Sequence, residues 1–150
     1  MHAKAWCKGC SITPQVIALV LEKRHVGPMN NMNAFVEKYI SIWNEADTTA
    51  RRQRIRELWV EDVQHLARTL EAVGNDGIET RVTNAYEKWG KEKGCVFRLR
   101  DGVDGHHGTI KLRWEMLPAG GGEVISVGFD FLVLAGDGRI KTGYQFIEAQ

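Results

Sequence analysis

The sequence predicts an α+β fold, with helices packed on one face of a curved sheet. The main observation is a change of period: apolar residues recur at helical spacing in the first part of the chain and at a spacing of two after Gly94. The second observation is size and composition. The chain has 150 residues, 43% hydrophobic and 26% charged, which is typical of one globular domain.

The charge balance and the cysteine count exclude several classes of protein. Twenty Lys and Arg residues stand against 19 Asp and Glu residues, so the net charge of +1 lacks the basic stripe of a duplex-binding protein. No apolar run approaches the roughly 20 residues that cross a bilayer, and no cleavage site follows the run at 12–21. Three cysteines cannot form a disulfide framework. We therefore expect a cytoplasmic protein without nucleic-acid or membrane partners.

Residues 1–28 are predicted to form an N-terminal extension, followed by one domain at 29–150. The extension carries four Lys or Arg residues and one Glu, whereas the rest of the chain is slightly acidic. Apolar residues after Pro14 predict a short helix at about 13–25, which ends before Pro28. This segment is either a docked functional helix or a loosely held appendage.

Three helices are predicted in the first half of the domain. The first begins after an Asn cap at 30 or 31 and ends at Trp43. The second is capped by Thr48 or Thr49, and the third follows the loop 74–77. Their apolar stripes contain Phe35, Val36, Tyr39, Ile40 and Trp43 in the first, Ile55, Leu58 and Trp59 in the second, and Ile78, Val82, Ala85, Tyr86 and Trp89 in the third.

Five strands are predicted, of which the last four form an antiparallel meander. A short strand at Val63–Ala67 lies between the second and third helices. Turns at 101–105, 118–122 and 136–138 then separate four strands, which are Cys95–Arg100, Ile110–Met116, Glu123–Ala135 and Arg139–Glu148. Apolar and polar residues alternate in the Ile110–Met116 strand, which indicates a sheet with one covered face.

One carboxylate occupies an unusual position in the strand at 123–135. Asp130 lies between Phe129 and Phe131, and both faces of this strand are largely apolar. A carboxylate there must be desolvated, paired or directed into a cavity. Desolvation would raise its pKa, and a protonated carboxyl can donate a hydrogen bond to a ligand oxygen. The alternative is that Asp130 only accepts hydrogen bonds from neighbouring hydroxyls or from Arg113.

Five short segments occur in an order that is typical of a known family. They are Asp47, Trp59–Asp62, Gly77-Ile78, Val127–Phe131 and Gly138–Ile140. Over about residues 32–148 this order resembles the SnoaL-like branch of the nuclear transport factor 2-like superfamily. The resemblance implies a cone-shaped roll, in which a curved antiparallel sheet wraps around three helices and leaves a deep apolar pocket, usually in a homodimer. Members include polyketide cyclases, ketosteroid isomerases and non-catalytic modules, so the fold does not fix the reaction.

The same resemblance implies roles for three residues. Asp130 falls where cyclases have an acid/base Asp and where isomerases have a protonated hydrogen-bond donor, and Tyr39 matches the isomerases' Tyr donor. Together they would polarise a carbonyl group. The isomerases' general base aligns with Ala67, and His65, which has the same strand parity, is the substitute base. In the alternative interpretation, Tyr39 and His65 are core residues that pack or hydrogen-bond without reacting.

The sequence thus predicts a pocket protein for a small apolar molecule, either carbonyl-bearing or polycyclic. Asp130, Tyr39 and His65 are the predicted catalytic residues, and the predicted pocket residues are Trp43, Trp59, Leu132, His107 and Phe146. An isomerisation, a cyclisation or another acid/base reaction without a cofactor fits this set. The alternative is a non-catalytic ligand-binding or dimerisation module, favoured by the missing base at Ala67. In either case we expect a homodimer, with the face of Phe131 suited to pairing.

A redox or metal function is a third hypothesis. Cys7 and Cys10 have the spacing of a thioredoxin-type motif, but nothing before Trp6 can form the strand that such a motif follows. The His106-His107 pair does not supply the three or four ligands of a metal site. We therefore predict no metal and no other cofactor.

Overall fold

The computed structural model describes residues 29–148, and all structural statements concern that range. The N-terminal extension, with its predicted helix and with Cys7 and Cys10, lies outside the described residues. Within the range, no helix combines the length and the apolar character that spanning a bilayer requires.

The described residues form three helices and one sheet of seven strands, an α+β fold. The helices are α1 (Met29–Trp43), α2 (Thr48–Leu58) and α3 (Gly74–Ala85), and α3 continues into a π-helical segment at Tyr86–Lys91. The strands are β1 (Trp59–Ala67), β2 (Leu70–Val73), β3 (Cys95–Leu99), β4 (Asp104–His106), β5 (Thr109–Pro118), β6 (Ser126–Leu134) and β7 (Ile140–Glu148).

The sheet is curved, unclosed and mixed. Its strand order is β2-β1-β7-β6-β5-β3, with β4 paired to β5. The prediction of an entirely antiparallel sheet is wrong in one respect, because β1 and β7 are parallel, from Trp59 beside Ile140 to Ala67 beside Gln145. Parallel neighbours need a long connection, and here α3 and the strands β3 to β6 provide it.

Several predicted boundaries also need correction. The strand predicted at Val63–Ala67 begins at Trp59, directly after α2, and is followed by the unpredicted hairpin partner β2. Asp47 caps α2 rather than Thr48 or Thr49, because its Oδ1 accepts a hydrogen bond from the backbone N–H of Ala50 at 2.7 Å.

The core lies between the helices and the inner face of the sheet. Its members alternate along the strands and recur at helical spacing, and the fully buried ones include Val36, Ile55, Ile78, Val82, Leu112, Leu132 and Ile140. Each such aliphatic side chain contributes about 1.5–3 kcal/mol of transfer free energy when it is buried. This packing fixes α1 and α3 against the strands that carry the site.

The opposite, outer face of the sheet carries four aromatic side chains on β6 and β7. Phe129 pairs with Phe146, and Phe131 pairs with Tyr144. Tyr144 is 40% exposed and Phe146 is 56% exposed. We refer to these four residues as the outer aromatic patch.

Candidate active site

Asp130 lies in the middle of β6, on the inner face of the sheet, and is 1% exposed. The Tyr39 hydroxyl donates a hydrogen bond to Oδ2 at 2.6 Å, and the Trp114 indole N–H donates to Oδ1 at 3.0 Å. An indole N–H can only donate, so Oδ1 acts as an acceptor. The two donors together favour the ionised carboxylate.

Each donor reaches Asp130 because of the local backbone. Tyr39 projects from α1. Because α1 packs on the sheet, the Tyr39 hydroxyl reaches Asp130, although the two residues are 91 positions apart in the sequence. Trp114 lies on β5 opposite Gly128, and a Cβ at position 128 would overlap the indole ring. The glycine therefore leaves the space through which Trp114 approaches the carboxylate two residues further along β6.

Burial raises the pKa of Asp130 to about 6, while the hydrogen bonds from Tyr39 and Trp114, the neighbouring Gln145 and the charge of Arg81 limit the rise. Burial, reinforced by the nearby carboxylate, also raises the pKa of Tyr39 well above its ordinary value. The Tyr39 hydroxyl is therefore a stable donor at neutral pH. A carboxyl group with a pKa near 6 is suited to proton transfer in both directions under these conditions.

Asp130 and Tyr39 form part of the wall of a cavity of about 300 Å³, at the lower end of the size range of ligand pockets. The other walls are mostly aromatic or aliphatic, and they include Trp43, Trp89, Phe97, Trp114 and Met116. Ile125 and Ile147 line the cavity and are 44% and 60% exposed, so the rim is apolar. A small apolar molecule fits this lining.

Two further polar side chains, Arg81 and Gln145, belong to the cavity wall. Arg81 projects from α3, and its Nη2 donates to Oε1 of Gln145 at 2.9 Å. Its guanidinium lies over the Trp43 ring, 5.3 Å from the centroid, which is cation–π geometry. Burial lowers the pKa of Arg81, while Tyr39 and Asp130 favour the charged form.

His65 is buried on β1, behind the cavity wall rather than in it. Its ring is 6.0 Å from that of Trp43, and neither ring nitrogen has a hydrogen-bond partner among the described residues. Burial and the charge of Arg81 lower its pKa to about 4, an effect that Gln145 partly opposes. The imidazole is therefore neutral at pH 7. Its assignment as a substitute base stays a prediction.

The structure brings three of the predicted site residues together at the cavity, namely Tyr39, Trp43 and Asp130. Trp59 and Leu132 were also predicted to line the pocket, but they are fully buried in the packed core and do not contribute to the wall. Both belong to the cluster of core side chains between the helices and the sheet.

The assignments of His107 and Phe146 to the pocket need correction. His107 is an exposed turn residue with a φ of 49°, and its ring contacts His106 instead. Phe146 lies on the outer face, opposite Phe129. A β-bulge between Val133 and Leu134 shifts the register by one residue, which moves Phe146 to the face opposite that of Asp130.

Sequence reasoning missed Arg81 and Gln145 as site residues, although both carried a signal. Arg81 lies three residues after Ile78 and four before Ala85, on the apolar stripe of α3. Gln145 pairs with Asp130 across β6 and β7. A charged residue on an apolar helical stripe and a polar residue beside a buried carboxylate both indicate a site. Within residues 29–148, no group of three His, Cys, Asp or Glu residues converges in a way that could hold a metal ion.

Comparison with known proteins supports the architecture. No protein-family model matches the chain, and no curated protein matches it. Among solved structures, a candidate isomerase of the SnoaL-like family from Agrobacterium tumefaciens C58 is 25% identical, with a TM-score of 0.73 over 81% of this chain and 100% of that one. An NTF2-like protein of unknown function from Exiguobacterium is 18% identical, with a TM-score of 0.60 over 77% and 99% of the two chains.

A candidate polyketide cyclase from Sinorhizobium meliloti has the same fold, at 15% identity and a TM-score of 0.58 over 75% of this chain and 94% of that one. The predicted resemblance to SnoaL-like, nuclear transport factor 2-like proteins is therefore confirmed. So is the predicted α+β fold class.

Proposed function

We propose that this SnoaL-like chain binds a small apolar molecule with a carbonyl group, and that Asp130 removes and returns a proton next to that carbonyl. The observation that carries the proposal is the buried carboxylate on the wall of an apolar cavity, held by Tyr39 and Trp114. The isomerase and cyclase descriptions of the structural neighbours fit the same chemistry.

The hydrogen-bond directions support a base rather than a permanently protonated donor. Both oxygens of Asp130 accept hydrogen bonds, and a pKa of about 6 leaves the group mostly ionised at pH 7. Its protonated form is nevertheless accessible, so the same carboxyl can return the proton. Tyr39 and Trp114 hold the carboxylate in one orientation, which limits the loss of entropy on reaching the reactive geometry.

In the proposed step, Asp130 takes a proton from the carbon next to the carbonyl, and the C–H electron pair becomes part of an enolate. Where a carbon–carbon double bond adjoins that carbon, the enolate is conjugated, and return of the proton to the far end of the double bond completes an isomerisation. Attack of the enolate carbon on a second carbonyl carbon of the same molecule completes a cyclisation, with the proton delivered to the new alkoxide. The cavity excludes bulk water from the carboxylate, which strengthens its basicity relative to an exposed Asp.

Deuterium exchange into 2-tetralone, a bicyclic ketone with acidic α-protons, tests this proposal. In deuterated buffer the protein should accelerate exchange, with a rate that rises as Asp130 loses its proton near pH 6. Asp130→Asn keeps the shape but removes the base, and should lower the protein-catalysed rate by about 100-fold or more. Asp62→Asn, at an exposed position of β1, is the matched control and should retain the wild-type rate. Equal rates for wild type and Asp130→Asn would exclude the base.

A second candidate function is a non-catalytic homodimeric binding module. Two observations favour it: Tyr144 and Phe146 of the outer aromatic patch are exposed, and Ala67, at the position of the isomerases' base, has no ionisable group. Aromatic side chains are enriched at the centres of protein interfaces. We propose that the patch pairs with the same patch of a second copy, an arrangement compatible with catalysis as well.

Analytical ultracentrifugation of Phe146→Asp tests the dimer. A desolvated charge at the centre of the patch should raise the dimer dissociation constant by about tenfold or more. Lys141→Glu changes the charge of an exposed residue near the other end of β7 from Phe146 and should leave the dissociation constant unchanged. A monomeric wild-type protein, or a Phe146→Asp dimer of unaltered affinity, contradicts pairing through this face.

A further inference from the structure

Arg81 is a partly buried cation in the cavity wall that forms no ion pair within 4.0 Å among the described residues. Its nearest interactions are the Gln145 side-chain oxygen at 2.9 Å and the Trp43 ring at 5.3 Å, and both partners are neutral. Its Nε is buried without a hydrogen-bond partner among residues 29–148. None of the ion pairs within 4.0 Å in this part of the chain includes Arg81.

Two arginines of the same chain with more exposed side chains have such partners. Arg52 is paired with Glu79 at 2.8 Å, and Arg113 with Glu148 at 2.7 Å, in places where water could solvate the charge without help. The guanidinium of Arg81 is less solvated than these exposed groups, so an anion beside it would offset a larger desolvation cost. Asp130 lies on the same cavity wall and interacts with Arg81 electrostatically, but the two do not form an ion pair within 4.0 Å.

We propose that the molecule bound in the cavity is an apolar carboxylic acid whose carboxylate pairs with Arg81. The inference rests on the proposed function and specifies its substrate class. The planar guanidinium still has free N–H donors, and its fork geometry matches the two oxygens of a carboxylate. The hydrocarbon part of the acid lies against the aromatic and aliphatic walls formed by Trp89, Phe97 and Met116.

The size and charge of the cavity favour a carboxylate over a larger anion. A phosphate carries more charge and usually takes several donors, whereas Arg81 is the one Lys or Arg among the described residues that line this cavity. The titratable groups around it are Tyr39 on α1, Asp130 on β6 and, behind the wall, His65 on β1. Tyr39 and His65 are neutral at pH 7, so Arg81 and Asp130 are the charged groups among them, and a ligand carboxylate paired with Arg81 would favour the protonated form of Asp130.

Isothermal titration calorimetry with 2-naphthoate and 2-naphthamide tests this inference, because the two probes share size and shape but differ in charge. The wild type should bind the naphthoate at least about tenfold more tightly than the amide, as expected for a charge-assisted hydrogen-bonded pair. Arg81→Gln should remove that preference by weakening naphthoate binding, while naphthamide affinity stays within about twofold. Arg81→Lys keeps the charge without the fork, and should retain part of the preference.

The matched control is Arg68→Gln, which removes an exposed arginine outside the cavity and should preserve the wild-type preference. Circular dichroism identifies a variant that fails to fold, in which case the wild type and Arg81→Lys decide the result. Equal affinity of the wild type for both probes, a preference that survives in Arg81→Gln, or binding of neither probe overturns the inference. None of these results bears on α-proton exchange in the neutral ketone 2-tetralone, so failure of the carboxylate assignment and failure of the base remain distinguishable.

Discussion

The raised pKa of Asp130 predicts a specific pH dependence of stability, which Asp130→Asn should abolish. In the unfolded chain the carboxyl titrates near its ordinary value of 3.8, and in the folded protein near 6. The folded state therefore binds this proton more tightly than the unfolded state. The resulting stabilisation is fully present below about pH 4 and is lost as the pH rises through about 6.

The magnitude follows from the same two values. A difference of roughly two pKa units corresponds to about 3 kcal/mol of free energy of unfolding. The asparagine side chain of the variant does not titrate, so the stability of the wild type relative to Asp130→Asn should fall by about 2.5 kcal/mol between about pH 4 and pH 7.5. Other groups, including the buried His65, are common to both proteins and cancel in the difference to first order.

Urea denaturation at intervals of about half a pH unit, followed by tryptophan fluorescence, measures this difference. Asp62→Asn serves as the control for loss of a carboxylate at an exposed position. The reasoning is refuted if the difference between wild type and Asp130→Asn stays constant within about 0.5 kcal/mol over the range, because Asp130 would then have the same pKa in both states.

Three other predictions concern the surroundings of this carboxyl group. Tyr39→Phe removes a hydrogen bond that lowers its pKa, so carbon-13 NMR should find the pKa above 6, and an unchanged or lower pKa would contradict the assignment. His65 should remain neutral down to about pH 5 in nitrogen-15 NMR spectra, whereas protonation near pH 6.5 would contradict its burial away from water. Gly128→Ala should lower the free energy of unfolding by about 1–3 kcal/mol, because the Trp114 ring must move. The control Gly136→Ala, with open space around it, should change that free energy by less than about 0.5 kcal/mol. Equal losses for the two variants in urea denaturation would contradict the packing argument.

The helices and the strands β3, β5, β6 and β7 were predictable from sequence because their signals are local. The stripe from Val36 to Trp43 and the alternation around Trp114 each specify a buried face without reference to the rest of the chain. The pairing of β1 with β7 is not local. Nothing in the residues near Trp59 indicates that their neighbour is Ile140, since partner choice depends on how the helices place the strand.

The residues of the candidate site also divide into those with a local sequence signal and those whose position depends on the rest of the fold. Asp130 was identified because a carboxylate within an apolar strand stands out in the sequence, and Tyr39 because its position matches the Tyr donor of the isomerases that the chain resembles. The position of Phe146 was wrong because one bulge in the β6–β7 hairpin inverts the face of every later residue. Arg81 also stands on an apolar stripe, but its role depends on a cavity that forms only when α3 meets the sheet, which the stripe alone does not indicate.

The parallel pairing of β1 and β7 bears on how the domain folds as it leaves the ribosome. β7 lies between β1 and β6, so it joins the two parts of the sheet, yet it is the last of the seven described strands to be translated. Until it emerges, the nascent chain exposes one unpaired edge on β1 and another on β6, each able to associate with foreign strands. The two parts of the sheet therefore join only after β7 has left the ribosome, and removal of that strand would separate β1 and β2 from β6, β5 and β3.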